Sequence, residues 1–301
     1  MPGGKVALFT SCSKTLPDDV SIALKTPRDN ASRLQQSLLA TPMLGPFRAR
    51  RHEKRCRRFF NRHFVVPEQV DPIKTPINIM VFVNRSGSSL LSQYLEATGK
   101  FSAFGEPLSA EMIIERSGAA GFSSFEAYVR GLYAEIHSQG RQVGLKASLD
   151  QVLMLLRSHA IPRLFPNARW IFLERLDIVA QAISFYIATQ TGKYYSDQEG
   201  SGAAPLYNFR AISRRARLLS RNYADCRLLL SSCAIQPYHL TYEQFILQPE
   251  EETRKLAAFL GEQAVTIDTA AVRLDKQSDH INEAFRERFV QDMSARLHVL
   301  R

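Results

Sequence analysis

Residues 77–98 read Ile-Asn-Ile-Met-Val-Phe-Val-Asn-Arg-Ser-Gly-Ser-Ser-Leu-Leu-Ser-Gln-Tyr-Leu-Glu-Ala-Thr, and no other stretch limits the folds open to the chain so much. The run Ile79 to Val83 is short and nearly all β-branched or bulky, as suits a strand buried on both faces. It stops abruptly at Asn84-Arg85-Ser86-Gly87. Leu90, Leu91, Tyr94 and Leu95 then recur at helical spacing, and Gly99 closes the segment. The order is strand, tight loop, helix. Such a loop aims the first-turn N–H groups at one point, while Arg85 adds a positive charge and Ser86, Ser88 and Ser89 add hydroxyls. It is suited to an anion, although on the loop alone an ordinary turn whose serines cap the helix fits as well.

Beyond this stretch, short apolar runs alternate with amphipathic ones. Strands are expected at 77–83, Gln142 to Lys146, Ala168 to Leu173 and Pro237 to Leu240. Helices are expected at 88–98, 109–116, 124–138, Leu149 to Ser158, Asp177 to Gln190 with Asp177 as its cap, and Leu206 to Ser231. This alternation builds a parallel sheet covered on both faces, with ligands gathered at the carboxyl ends of the strands. The expected fold class is α/β, a P-loop-like central parallel sheet flanked by helices.

The chain has 301 residues and is 45% hydrophobic, enough for a sizeable core. Its net charge of +10 is unevenly placed, since residues 1–74 hold 14 Lys/Arg against 6 Asp/Glu. That pattern divides a basic, partly ordered N-terminal arm and linker, 1–74, from a catalytic domain, 75–301. Within the arm, residues 48–64 hold eight Lys/Arg against one Glu and can form a basic helix with Phe59, Phe60 and Phe64 on its apolar side. Nucleic acid, an anionic membrane or an acidic neighbour would suit it, and so would docking of the phenylalanines on the body. Cys12, Cys56, Cys226 and Cys233 form no CxxC pair and read as free thiols, and no metal-ligand cluster is visible. No apolar run approaches the ~18 residues that span a bilayer, and the N-terminus lacks a secretory pattern, so a cytoplasmic location is expected.

A second anion-binding candidate follows Trp170-Ile171-Phe172-Leu173, two residues that read as strand core being Trp170 and Phe172. Arg175 stands just past that strand end, and Ser184 lies nine residues on, along the next helix. A guanidinium fork with a hydroxyl can hold a phosphate; a surface salt bridge from Arg175 to Glu174 or Asp177 is the competing reading. Two anion sites at adjacent strand ends imply a ligand anionic at both ends. A Walker loop is disfavoured because Ser88-Ser89 follows Gly87 where Lys-Ser/Thr would reach phosphates and magnesium. The single glycine likewise disfavours a dinucleotide loop.

Taken in order, several segments resemble the motif series of the sulfotransferase superfamily, closest to the bacterial trehalose 2-sulfotransferase-like family. They are Arg85 to Leu91, Gly105-Glu106-Pro107, Gly144 with Lys146, Arg175-Leu176-Asp177, Gln181-Ala182-Ile183-Ser184 and Gln190-Thr191. Lys276-Gln277-Ser278-Asp279 is a further echo, and the resemblance spans residues 77–295. It implies the sulfotransferase fold and transfer of a sulfuryl group from 3′-phosphoadenosine 5′-phosphosulfate (PAPS) to a hydroxyl of a carbohydrate or glycolipid, with no metal. It also implies that Arg85, Ser86, Gly87, Ser88, Ser89 and Leu90 hold the 5′-phosphosulfate, and Arg175 and Ser184 the 3′-phosphate. Glu106 would be the base, Arg85 would stabilise the departing phosphate, and Lys146 would neutralise sulfonate oxygens; without the resemblance Glu106 is a loop carboxylate and Lys146 a strand-end charge.

The chain departs from that family at Leu108-Ser109-Ala110-Glu111 and Ala147-Ser148-Leu149, positions expected to shape the sugar pocket, so trehalose itself is not implied. Tyr186, Tyr194 and Tyr195 are the candidates for lining an adenine or sugar pocket, and His280 is the histidine closest to a role. The resemblance hints at a homodimer, and the 48–64 segment would allow peripheral contact with the inner membrane face. The rival functions are a nucleic-acid-binding protein using 48–62, disfavoured because the patch lacks interleaved readout residues, and a phosphotransferase with a variant P-loop.

Overall fold

The computed structural model describes residues 51–194, 204–273 and 280–298. Four strands, β1 (Ile77–Phe82), β2 (Val143–Ala147), β3 (Arg169–Glu174) and β4 (Tyr238–Thr241), form one parallel sheet in the order β2-β1-β3-β4. Every residue of β1 is buried, as its unbroken apolar run requires. Successive side chains of a strand point to opposite faces. Ile77, Ile79 and Val81 accordingly enter one core, while Met80 enters a second.

The helices are α1 (Arg51–Phe60), α2 (Ser88–Glu96), α3 (Ala110–Ala120), α4 (Phe125–His137), α5 (Leu149–Arg157), α6 (Ala160–Leu164), α7 (Ile178–Thr191), α8 (Phe209–Ser232), α9 (Tyr242–Leu247), α10 (Pro249–Phe259) and α11 (His280–His298). The larger core joins the first face of the sheet to α1, α3, α4, α5, α7, α8 and α11, through residues such as Phe60, Ile113, Tyr128, Val152, Ile183, Tyr223 and Phe285. The smaller core joins the second face to α2, α9 and α10. Leu91 and Leu95, one turn apart on α2, are fully buried there. At about 1.5–3 kcal/mol of transfer free energy each, they fix the helix against the sheet and hence the direction of its N-terminus.

Asp177 caps α7 by accepting the Ala180 N–H, as expected. Capping boxes at Ser148 with Gln151 and at Thr241 with Gln244 start α5 and α9 immediately after β2 and β4. These abrupt starts keep the strand ends uncluttered. Beyond Thr241 the helices α9, α10 and α11 carry no expectation from the periodicity reading, and the helix expected at 109–116 runs on to Ala120, where Gly121 at φ 72° ends it.

The segment 51–66 contributes Cys56, Phe60, Phe64 and Val66 to the larger core, so its phenylalanines dock on the body. Phe59 corrects the expected apolar side, being 42% exposed. The three thiols among the described residues, Cys56, Cys226 and Cys233, are buried and free. Burial raises Cys56 and Cys233 to about 11 and Cys226 to about 12. Residues 1–50 with Cys12, the echo at 276–279 and Tyr195 lie outside the described residues. Among the described residues no helix is long and apolar enough to cross a membrane.

Candidate active site

The sheet register sets the site. Val81 lies opposite Ala147 and Phe82 opposite Leu173, so β1, β2 and β3 finish at one level and the residues that follow them are gathered together. The loop after β1 is tight: Arg85 has φ 66° and Gly87 has φ 89°. A left-handed non-glycine residue costs on the order of 1 kcal/mol or more and needs outside support. That support comes from the Gln181 side-chain amide, which donates to the Asn84 carbonyl at 2.8 Å, and from Arg175 Nη1, which donates to the Arg85 carbonyl at 3.2 Å. Gly87 is the N-cap of α2 and leaves the helix without a side-chain cap. The reading of this turn as serine-capped is thereby removed, and the first-turn N–H groups are left to an outside acceptor.

Gly87 is required sterically as well as by its backbone angle. A Cβ there would sit 2.4 Å from Cδ2 of Tyr242. The hydroxyl of Ser86 is buried with no partner among the described residues. A buried hydroxyl normally finds a partner, so its orphan state marks a place made for one.

Arg85 and Ser184 meet across 99 residues of sequence, Arg85 Nε donating to Ser184 Oγ at 3.0 Å, and Arg85 also donates to the Tyr194 carbonyl. Arg175 does not form the surface salt bridge that competed for it. Glu174 pairs instead with Arg227 and His239, and Asp177 with Arg286. The guanidinium of Arg175 lies over the Tyr242 ring, 4.6 Å from its centroid, and its Nε is buried and unpartnered among the described residues. Burial alone would raise Asp177, but the Ala180 N–H, Arg286 and Arg175 outweigh it and hold its carboxyl below the usual range.

Lys146 is 4% exposed at the end of β2 and bridges the other two elements. Its ammonium donates to Ser89 Oγ at 3.0 Å and pairs with Glu106 at 3.1 Å. Glu106 is held from both sides. The Gly105 carbonyl accepts the Lys146 N–H at 2.7 Å, and the Pro107 carbonyl accepts the Tyr128 hydroxyl at 2.5 Å. The Glu106 side chain keeps 39% exposure, so a substrate can reach it. Gly144 of the Gly144–Lys146 pattern has a packing role: a Cβ there would lie 2.4 Å from the Phe104 ring.

The structure therefore brings Arg85, Ser86, Gly87, Ser88, Ser89, Leu90, Glu106, Lys146, Arg175 and Ser184 to the carboxyl ends of three adjacent strands. Other expected residues serve the scaffold. Tyr186 is buried beneath Arg215 rather than lining an opening, and Gln190 bonds both backbone groups of Leu206. His280 is exposed at the start of α11, and Tyr194 offers its carbonyl to Arg85. Sequence reasoning missed Tyr223, whose hydroxyl accepts the Arg175 N–H at 3.0 Å and donates to Gln181 at 3.1 Å. It missed Tyr242 and Glu243 too, for which the capping box Thr241-x-x-Gln244 just after a strand was the available signal.

The loop after β1, Glu106, Lys146 and Arg175 stand at the ends of three adjacent strands of a parallel sheet, and the match of a sulfotransferase family model to about half of the chain supports the sulfotransferase superfamily. More narrowly, residues 143–292 match the Stf0 sulphotransferase family, a span that contains Lys146, Arg175 and Ser184 and begins after the 84–91 loop and Glu106. No curated protein shows significant sequence similarity to the chain. The sulfotransferase domain from the curacin biosynthetic pathway is similar at 13% identity over 73% of this chain and 99% of that one, with a TM-score of 0.41. The corresponding values are 18%, 74%, 97% and 0.41 for the sulfotransferase domain from the Synechococcus PCC 7002 olefin synthase. They are 17%, 76%, 96% and 0.44 for a sulfotransferase from Alicyclobacillus acidocaldarius.

Proposed function

We propose that the protein transfers a sulfuryl group from PAPS to a hydroxyl of a carbohydrate or glycolipid acceptor. The observation that carries this reading is the linkage of Arg85 to Ser184 and of Arg175 to the Arg85 carbonyl, which makes one double-anion cradle out of two strand ends. Two buried polar atoms in it, Ser86 Oγ and Arg175 Nε, await an acceptor. A nucleotide with a phosphosulfate at one end and a phosphate at the other fits that donor set. Residues 86–90 and Arg85 would hold the 5′ end, and Arg175 with Ser184 the 3′ end.

When bound, the donor supplies the sulfuryl group together with its own leaving phosphate. Arg85 and the first-turn amides of α2 face the negative charge on that phosphate with dipoles already oriented. Glu106 accepts the proton of the acceptor hydroxyl at a carboxylate oxygen, and the fixed carbonyls of Gly105 and Pro107 keep it in place. Lys146, nearly excluded from water, joins base and loop and presents its positive charge between them.

Calorimetry with 3′-phosphoadenosine 5′-phosphate tests the reading. The wild-type protein should bind it, and Arg85→Ala and Arg175→Ala should each weaken binding roughly 10- to 100-fold, the usual loss for a hydrogen bond to a charged group. A wild-type protein that fails to bind overturns the assignment, and magnesium-dependent turnover of ATP would point to phosphoryl transfer instead.

A further inference from the structure

The dipeptide Tyr242-Glu243 begins α9 directly after β4 and lies outside every motif by which the site was recognised. Each of its side chains nonetheless ends on the double-anion cradle. The Tyr242 ring is 9% exposed, lies under the Arg175 guanidinium at 4.6 Å, and fills the volume that a Cβ on Gly87 would need. The Glu243 carboxylate accepts the N–H groups of Leu176 at 3.0 Å and Asp177 at 3.1 Å, the two residues that follow Arg175. With the Tyr223 hydroxyl on the Arg175 N–H, this arginine is fixed through its ring contact, its own amide and the next two amides before any ligand arrives.

Glu243 has a second consequence. The amides ahead of α7 are already taken by a carboxylate, and Asp177 takes the Ala180 N–H. A second anion at Arg175 therefore finds the Leu176, Asp177 and Ala180 amides already engaged, and Arg175 is aimed by its own surroundings. Ring and glycine also explain each other: the aromatic side chain can reach Arg175 only by passing where residue 87 has no side chain.

We propose that Tyr242 and Glu243 are positioning residues for the nucleotide, with Tyr242 pre-orienting Arg175 toward the 3′-phosphate and keeping it in register with the Gly87 turn. Pre-orientation adds affinity because the ligand need not order the arginine itself. The proposal rests on the PAPS reading above and goes beyond it in assigning these two residues.

The experiment is a double-mutant cycle in 3′-phosphoadenosine 5′-phosphate binding, with the melting temperature of each variant recorded. Tyr242→Leu should weaken binding roughly 3- to 30-fold, the range expected for losing one cation–π contact, and should raise the donor KM more than it lowers kcat. Tyr242→Phe retains the ring and should restore affinity. In an Arg175→Ala background, Tyr242→Leu should change affinity by less than about twofold, because the contact through which it acts is already gone. Glu243→Gln, which keeps an acceptor, should bind better than Glu243→Ala. An equal loss from Tyr242→Leu with and without Arg175, or no loss at all, overturns the proposal while leaving the PAPS reading intact. A wild-type protein that does not bind the nucleotide overturns both. In that case the Arg175 side-chain NMR resonances still report whether the ring contact exists, since Tyr242→Leu would remove its ring-current shift.

Discussion

Replacing Glu53 by alanine tests whether the basic segment before the sheet is part of the catalytic body. Glu53 is 2% exposed and binds two arginines, Arg57 Nε at 2.8 Å within α1 and Arg157 Nη1 at 2.5 Å on α5. Removing one member of a fully buried ion pair costs about 3–5 kcal/mol because a charge is stranded, whereas exposed pairs contribute about 0–1 kcal/mol. The side chain of Arg157 is only 15% exposed and loses this ion pair, while Arg57 at 40% keeps water, which lowers the figure. The expected loss is about 2–4 kcal/mol, a fall in melting temperature of roughly 4–12 °C for a chain of this size. Thermal and urea unfolding of Glu53→Ala measure it. The loosened helix should also reach the site, because His52 accepts the Ala110 N–H at 3.1 Å and Arg55 pairs with Glu111, just past the Glu106 loop. A Glu53→Ala protein that melts within about 1 °C of wild type would refute this reasoning and return α1 to the status of a separate arm.

Glu106→Gln should lower turnover about 100-fold or more while nucleotide affinity stays nearly unchanged, as steady-state rates and calorimetry would report; full activity would remove Glu106 as the base. Gly87→Ala should displace the Tyr242 ring and strain a residue at φ 89°, so nucleotide binding should fall below detection in calorimetry even where circular dichroism reports a folded chain. Burial is the main cause that lowers the His52 pKa below its ordinary 6.5, so on acidification the unfolded chain takes up this proton before the folded one does. Its contribution is therefore complete above 6.5 and is lost as pH falls through the interval below that value, and urea unfolding at a series of pH values should show less acid sensitivity in His52→Asn.

The strand–loop–helix unit was legible because its physics is local. An apolar run, a forced turn and helical spacing are all written within residues 77–98, and the elements up to β4, the short α6 excepted, follow the same signals. What was not legible depends on contacts between distant segments. Nothing near Phe59 or Phe60 in sequence says which of two adjacent phenylalanines turns to α4 and which to water, since the docking angle of α1 is set by Glu53 and Arg157, 104 residues apart. Tyr186 had the composition of a pocket residue, but the packing of α7 against α8 buried it. Tyr242 and Glu243 escaped notice for the opposite reason. Their dipeptide has no chemistry of its own, and its role exists only because β4 lies next to β3 and delivers α9 beside Arg175.

The same long-range connections make the two halves of the cradle one mechanical unit. The Asn84 and Arg85 carbonyls, on the side proposed for the 5′ end, receive their hydrogen bonds from Gln181 and Arg175, on the side proposed for the 3′ end. Arg85 at φ 66° has left-handed strain that those bonds offset, so Arg175 supports the shape of the loop as well as offering charge to a ligand. A ligand lacking the 3′-phosphate separates these roles. Adenosine 5′-phosphosulfate has no group for Arg175 to grip, and independent sites would let Arg175→Ala bind it as the wild type does. Coupled sites would not: the substitution removes a charge-assisted bond from the Arg85 carbonyl, and affinity for this ligand should fall by roughly 3- to 30-fold through the loosened loop. Competition of adenosine 5′-phosphosulfate against a fluorescent nucleotide, run on wild type and Arg175→Ala, gives the ratio directly. Equal affinities would show that the loop keeps its shape without Arg175 and that the two anion sites act separately.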